Sequence, residues 1–190
     1  RKKHYIFFKL DKIFKKYFVN YEFIKILKKN FGQAVTCYRA LKKIPNNNII
    51  TFGSCDYHYK FDKKKFKNLI EKFDLIIFAT KPEKIMLKNI NQYGWIKVSK
   101  NDQVDKIECK KKVSSNPNKD FVIVGSFSFK NRDIFAKSYR SMIKKKQKIN
   151  NEYYMDIVAK NALLSNYKVG YIEVFDYKNF GTPNAMHSYE

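Results

Sequence analysis

The residues best suited to chemistry in this chain are carboxylates and lysines near the ends of apolar runs. In IITFGSCDYHYKFD, from Ile49 to Asp62, Asp56 stands just past an apolar run and is followed at once by Tyr57, His58 and Tyr59. A carboxylate at the mouth of a strand is a hard-metal ligand by type, suited to holding Mg²⁺ against the phosphates of a nucleotide. The competing role is local, because Asp also caps helices and turns. Glu152 and Asp156, in NNEYYMD, lie four residues apart. On a helix that spacing faces both carboxylates to one side, as a substrate clamp or second metal ligand, or simply as a surface pair with Asn150 or Asn151 capping the helix. His4, His58 and His187 show no metal-ligand spacing. Cys37, Cys55 and Cys109 are odd in number, far apart and without a C-x-x-C pair, which argues against a zinc site or disulfide framework and for a reduced compartment. The serine-hydrolase, P-loop and dinucleotide fingerprints are absent.

Positioning such residues requires strands and helices, and the chain alternates between them. Apolar runs predict strands at 4–8, 49–52, 75–79, 93–98, 104–108, 121–129 and 169–174. Phe66, Leu69, Ile70 and Phe73 recur at helical spacing, as do Phe135, Tyr139, Met142 and Ile143, and Tyr154, Ile157, Val158 and Asn161 share the face of a third helix. Strand 49–52, the Asp56 loop, a helix over about 62–73 and strand 75–79 form a βαβ unit, which predicts two parallel strands. In open α/β sheets ligands bind beyond the carboxyl ends of strands, where Asp56 lies. Ser99-Lys100-Asn101-Asp102 reads as the turn of a hairpin. NFGQAVTCYRAL, from Asn30, reads as a glycine opening an amphipathic helix, and NFGTPNAMHSYE, from Asn179, as a strand-to-helix junction.

At 190 residues, 44% hydrophobic and 17% aromatic, the chain has material for one domain with a filled core. Its 40 Lys+Arg against 17 Asp+Glu give +23, mostly as lysine spread along the whole length amid Asn, Ile, Phe and Tyr. That spread fits solvated faces and an AT-rich coding bias better than a nucleic-acid footprint, and it also suits a phosphorylated small molecule. No apolar stretch reaches the roughly 20 residues of a membrane span, so a cytoplasmic protein is expected.

Taken in order, FGQAVTCYRAL, IITFGSCDYHYKFD, YGWIKV, VDKIECKKK, VIVGSFSFKNRDIF, NNEYYMDIV and VFDYKNFGTPNAMHSYE resemble the sugar-phosphate nucleotidyltransferase family over nearly the whole chain from about Lys9. They are most similar to members from bacterial capsule and lipopolysaccharide gene sets. The resemblance implies an α/β fold: a Rossmann-like, mostly parallel sheet flanked by helices, with a small antiparallel flap over the sugar site. It implies attack of an acceptor phosphate on the α-phosphorus of a nucleoside triphosphate, with pyrophosphate released and Mg²⁺ as cofactor, chemistry that rests on positioning and charge neutralisation. The partners are then the triphosphate, with CTP the first choice by the capsule-type relatives, and a phosphorylated sugar or other small phosphate.

The resemblance also implies roles. Gly32 and Gln33 lie near the nucleotide base, and Asp56 holds the metal, with Asp156 as a further ligand. Glu108 and Lys110 match the family's Glu-Lys pair, with Lys110 catalytic, while Gly94, Glu108, Gly125 and Glu152 bind the substrate. Three departures stand out. The Gly-rich loop that cradles the triphosphate would precede residue 1. Cys109 interrupts the Glu-Lys pair, so Lys111 competes with Lys110. Asn179 replaces the acid that usually precedes the Gly-Thr ending, leaving Asp176 or Asp156 to substitute. A glycosyltransferase using Asp56-Tyr57-His58 as its metal motif and a basic nucleic-acid-binding module are the alternatives. The sequence leaves a homo-oligomer open.

Overall fold

A computed structural model describes residues 9–24, 31–41, 44–45 and 48–181. The strand expected at 4–8 and the segment from Thr182-Pro183 to Glu190 lie outside these described residues.

The apolar runs pair into a six-stranded sheet of β1 (Ile50–Phe52), β3 (Leu75–Thr80), β4 (Gly94–Val98), β5 (Val104–Cys109), β6 (Phe121–Phe129) and β7 (Val169–Glu173). The spatial order is β5-β4-β6-β3-β7, with β1 also on β6. Since β1, β3 and β4 each run antiparallel to β6, and β7 runs parallel to β3, the strands β1, β3, β4 and β7 share one direction. The expectation of a mostly parallel sheet therefore holds in strand direction. The expected βαβ unit does not give adjacent strands, however: β6 lies between β1 and β3, and Phe129 is opposite both Ile50 and Leu75. Sequence period reports which face a side chain takes, not which strand lies next door.

Helices cover both faces. On β3, Leu75, Ile77 and Ala79 join one core cluster while Ile76 and Phe78 join another, as alternation requires. The first cluster packs under α2 (Gln33–Ala40), α5 (Arg132–Lys144) and α6 (Met155–Leu164); the second packs under α3 (Lys63–Lys72). Asp62 caps α3, accepting from Lys64 N at 2.8 Å and Lys65 N at 2.9 Å, so the predicted helix starts where its capping residue places it. Two further helices, α1 (Leu10–Tyr17) and the short α4 (Lys84–Lys88), complete the described set. β4 and β5 form the predicted hairpin.

Two short strands, β2 (Tyr57–Lys60) and β8 (Phe175–Asn179), form a separate antiparallel pair in which Tyr57 faces Asn179. The apolar-run pattern assigns Tyr57–Lys60 to a loop, although half-buried Tyr57 and Tyr59 alternate with exposed His58 and Lys60 at the strand period. This pair is the small antiparallel flap.

The strand that positions everything else is β6. Its start pairs with β4 at Phe121 and Val122, and its end pairs with β1 from Phe127 to Phe129, along the same edge. Across the other edge, Ile77 and Ala79 of β3 face Phe127 and Ile123, so β6 carries two extra residues in between. Gly125 sits in that bulge with φ +79, a conformation glycine adopts without penalty. The edge of β6 between β4 and β1 is thus left open at Ile123–Ser126, facing the last residues of β1 and the first of β4.

Candidate functional site

Two loops and one helix start converge on that opening. After β1 the chain turns through Ser54 and Asp56, and the Ser54 hydroxyl donates to Asp56 Oδ1. The end of β8 meets the same loop, with Phe180 N donating to the Asp56 carbonyl at 2.7 Å and Gly181 N to Asn179 Oδ1 at 2.8 Å. A side-chain carbon on Gly181 would lie 2.9 Å from Asp56 Oδ2 and 3.1 Å from Asn179 Oδ1. Glycine there leaves room for one carboxylate oxygen and one amide oxygen. These are hard oxygen donors of the kind Mg²⁺ takes, one or two from protein and the rest from water and phosphate, so the residues present fit that ion.

Asp176, the first suggested substitute for the missing acid, is instead turned into the flap. It bonds Lys60 Nζ at 2.8 Å and lies 3.6 Å from His58 Nε2, and the Lys60 bond holds its carboxyl below the ordinary range. His58 is thereby directed to Asp176, which leaves the Asp56-Tyr57-His58 motif of a glycosyltransferase without its histidine. Among the described residues no three His, Cys, Asp or Glu side chains gather as a ready metal cluster.

Gly94, Cys109, Lys110 and Asp156 meet on the other side of the opening. Gly94 faces Cys109 across the β4–β5 pair. A side chain at Gly94 would run into Asp156 Oδ2 and come within 3.0 Å of Ile123 Cδ1, so only glycine lets that carboxylate reach the strand. Burial pushes the Asp156 carboxyl up to about 6, against the opposing pull of the Cys109 thiol, Lys110 and a backbone hydrogen bond. Burial likewise pushes the Cys109 thiol well above the usual range, helped by the Asp156 charge, which makes it a poor nucleophile. Lys110, at φ 57, sends its ammonium over the Tyr154 ring, 5.0 Å from the centroid.

The Glu-Lys pair implied by the family divides in this structure. Glu108 is buried and bonds Lys160 at 2.9 Å and Lys111 at 3.3 Å. Its burial alone would raise the carboxyl, but these two hydrogen bonds outweigh it and the group lies below its ordinary value. Lys160 and Lys111 are therefore the partners of Glu108, and Lys110 is the lysine whose charge acts on Asp156.

Glu152 is not on a helix with Asp156, contrary to the spacing argument. α6 begins at Met155, and residues 149–152 form a tight reverse turn closed by Ile149 N to Glu152 O at 3.1 Å and Glu152 N to Ile149 O at 2.9 Å. Asn150 and Asn151 both take positive φ, 48 and 62, a conformation Asn tolerates better than most residues, so they make the turn instead of capping the helix. Glu152 is exposed, while Tyr154 is raised to about 12 by burial and by its contact with Glu152.

Gly32, at φ 106 and ψ 167, opens α2 and lies against the backbone of Tyr153. Tyr153 N donates to Phe31 O at 2.8 Å and Ala34 N to Tyr153 O at 3.2 Å, and Lys148 Nζ sits 5.3 Å from the Phe31 ring and 5.1 Å from the Tyr153 ring. Gly32 and Gln33 are thus fastened to the segment carrying Glu152 and Tyr154.

Sequence pattern alone does not single out Tyr57. Its ring carbons Cε2 and Cδ2 lie 3.2 and 3.6 Å from where a side chain on Gly125 would begin, and its ring is 5.5 Å from that of Tyr177. Burial raises its phenol, with the charges of Asp56 and Asp156 adding to the effect, so it stands within electrostatic reach of both carboxylates. The signal available was the odd–even alternation of Tyr57 and Tyr59.

Solved structures share this architecture. A nucleoside-diphosphate-sugar pyrophosphorylase from Vibrio cholerae RC9 superposes with a TM-score of 0.77 at 13% identity, over 98% of this chain and 75% of that one. The fold is that of the nucleotidyltransferases. An inositol-1-phosphate CTP transferase from T. maritima matches with a TM-score of 0.64 at 14% identity, over 93% of this chain and 66% of its own. A UDP-glucose pyrophosphorylase complexed with UDP-glucose matches with a TM-score of 0.68 at 13% identity, over 100% and 72%. The chain thus spans two thirds to three quarters of the length of these nucleotidyltransferase-fold relatives. No protein-family model and no curated protein sequence matches it. Among the described residues no helix is long and apolar enough to cross a membrane.

The raised Asp156 makes stability depend on pH in a defined direction. The folded state holds this proton more tightly than the unfolded one, so stability falls as pH rises from about 4 to about 6 and then levels off. Asp156→Asn removes the effect. Measured by urea unfolding in the presence of a chelator, the variant should gain about 2 kcal/mol on the parent between pH 4.5 and pH 8. An unchanged difference between the two pH values would mean that the carboxyl is not held up.

Proposed function

We propose that this chain belongs to a nucleotidyltransferase that joins the nucleoside monophosphate of a triphosphate to a phosphorylated small-molecule acceptor and releases pyrophosphate. The observation that carries the reading is the meeting of Asp56 with Asn179 and Gly181 at one side of the Gly125 bulge, with Gly94, Lys110 and Asp156 at the other.

In this reading Asp56 and Asn179 hold Mg²⁺, which when bound would offset the charge of the triphosphate. Gly32 and Gln33 lie along the base, and their attachment to Tyr153 fixes the base side relative to the acceptor side. Lys110 approaches the transferring phosphate, steadied by the Tyr154 ring and the Asp156 charge. Gly94 and Gly125 line the acceptor side, where the Asp156 carboxylate and the Tyr57 ring take the space a side chain would fill, and Glu152 contacts the acceptor from the turn. Asp156 serves as positioner of Lys110, its place against Gly94 favouring that role over metal binding. Positioning of two phosphates and neutralisation of their charge is what such a reaction asks of a protein. The lysine-rich surface suits anionic substrates, a reduced cytoplasm suits the free cysteines, and surface polysaccharide precursors are the proposed products, with CTP as the first triphosphate to try.

The full-length protein, given Mg²⁺, each of the four triphosphates in turn and a panel of phosphorylated sugars and small phosphates, should release pyrophosphate with one pairing. Release of a nucleoside diphosphate from a nucleotide-sugar, without pyrophosphate chemistry, would replace this reading with glycosyl transfer.

A further inference from the structure

The residue that covers Gly125 is Tyr57. Gly125, placed on the acceptor side by the transfer reading above, sits in the β6 bulge at positive φ and without a side chain leaves room there for a neighbour. The Tyr57 ring takes that room, 3.2 Å from the point at which a side chain would begin. Ser54 closes the same space from the other direction, its Cβ 3.3 Å from that point. The ring is held in place by its strand partner and by Tyr177. Its residue is the first of β2 and pairs with Asn179, its ring packs near Tyr177, and the two phenols hydrogen bond. A tyrosine ring pinned at both ends gives way less readily than a free surface side chain.

We infer that Tyr57 is a specificity-determining residue that sets the size of the acceptor, favouring a compact phosphate over a hexose phosphate. The inference rests on the transfer reading above. A phenol ring and a pyranose ring each have six ring atoms, so the ring that lies over Gly125 fills about the space a sugar ring would need there. A short acyclic phosphate can reach the reacting centre beside the ring. A pyranose must displace it, and with it the Tyr177 contact and the start of β2 next to Asp56.

The test compares sn-glycerol 3-phosphate with α-glucose 1-phosphate as acceptors of the full-length protein under Mg²⁺ and the preferred triphosphate, read as kcat/KM for pyrophosphate release. The parent should favour the three-carbon phosphate at least tenfold. Tyr57→Ala should cut that preference at least tenfold by improving use of glucose 1-phosphate, while Tyr57→Phe should keep it. If the alanine variant is too unstable to assay, Tyr57→Leu should move the ratio in the same direction. A parent that uses glucose 1-phosphate as well as the smaller acceptor overturns the inference, as does a ratio unmoved by substitution even if both rates fall. Pyrophosphate release with other acceptors would leave the transfer reading standing in either case. Its absence with every acceptor and triphosphate would remove that reading and this inference together.

Discussion

Replacing Asp56 with alanine should lower metal-dependent turnover by about a thousandfold or more, equivalent to about 4 kcal/mol of transition-state stabilisation. The expectation follows from the local geometry. Asp56 is a half-buried loop residue whose carboxylate stands with the Asn179 amide oxygen at the α-carbon of Gly181. Its partner in the fold is its own backbone carbonyl, which accepts from Phe180 N and survives substitution. Among the described residues the side chain accepts a hydrogen bond from its neighbour Ser54. Thermal unfolding should therefore shift by no more than a few degrees. Turnover within tenfold of the parent would move the metal elsewhere, whereas loss of the folded state would show that the carboxylate supports the loop itself.

The largest effect on stability is expected at Gly32. Its φ of 106 and ψ of 167 fall in a region that is essentially confined to glycine, with strain of about 1–3 kcal/mol for other residues. A β-carbon there would also overlap the carbonyl oxygen of Tyr153 and lie 2.7 Å from its nitrogen, and these are backbone atoms fixed by hydrogen bonds to Phe31 and Ala34. Gly32→Ala should cost about 3–4 kcal/mol in urea unfolding. Gly53→Ala is the matched control: its nearest neighbour would be Ser126 Oγ at 3.7 Å, an ordinary contact, so the cost should stay below about 1 kcal/mol. Equal costs at the two glycines would mean that the 31–34 segment is not fastened to Tyr153 in the folded protein.

The parts of this architecture governed by local pattern were legible in the sequence. β6 spans the run predicted at 121–129, and α3 starts after Asp62 and ends before Phe73 because its apolar stripe and cap are local. Pairing beyond the β4–β5 hairpin was not legible. β6 inserts between β1 and β3 because the chain returns after the β4–β5 hairpin, and nothing in the period of either strand records that return. The site shows the same division. Asp56 could be found as an acid at a strand end. That Asn179 and Gly181 stand beside it depends on β8 folding back onto β2, which brings together residues more than a hundred positions apart. Glu152 was misplaced for a local reason, since two consecutive asparagines favour a left-handed turn over the helix start that the Glu152–Asp156 spacing suggested. The splitting of Glu108 from Lys110 needed the three-dimensional arrangement, because Lys160 and Lys111 reach Glu108 from α6 and from beyond β5.

Where the α-phosphorus goes is the most direct test of the central claim. With the full-length protein, Mg²⁺, the preferred triphosphate and a phosphorylated acceptor, phosphorus NMR should show the acceptor phosphate and the α-phosphorus joining as two coupled signals of a new pyrophosphate diester, with free pyrophosphate appearing in equal amount. Inorganic phosphate or a nucleoside diphosphate as the only new species would contradict nucleotidyl transfer at this site.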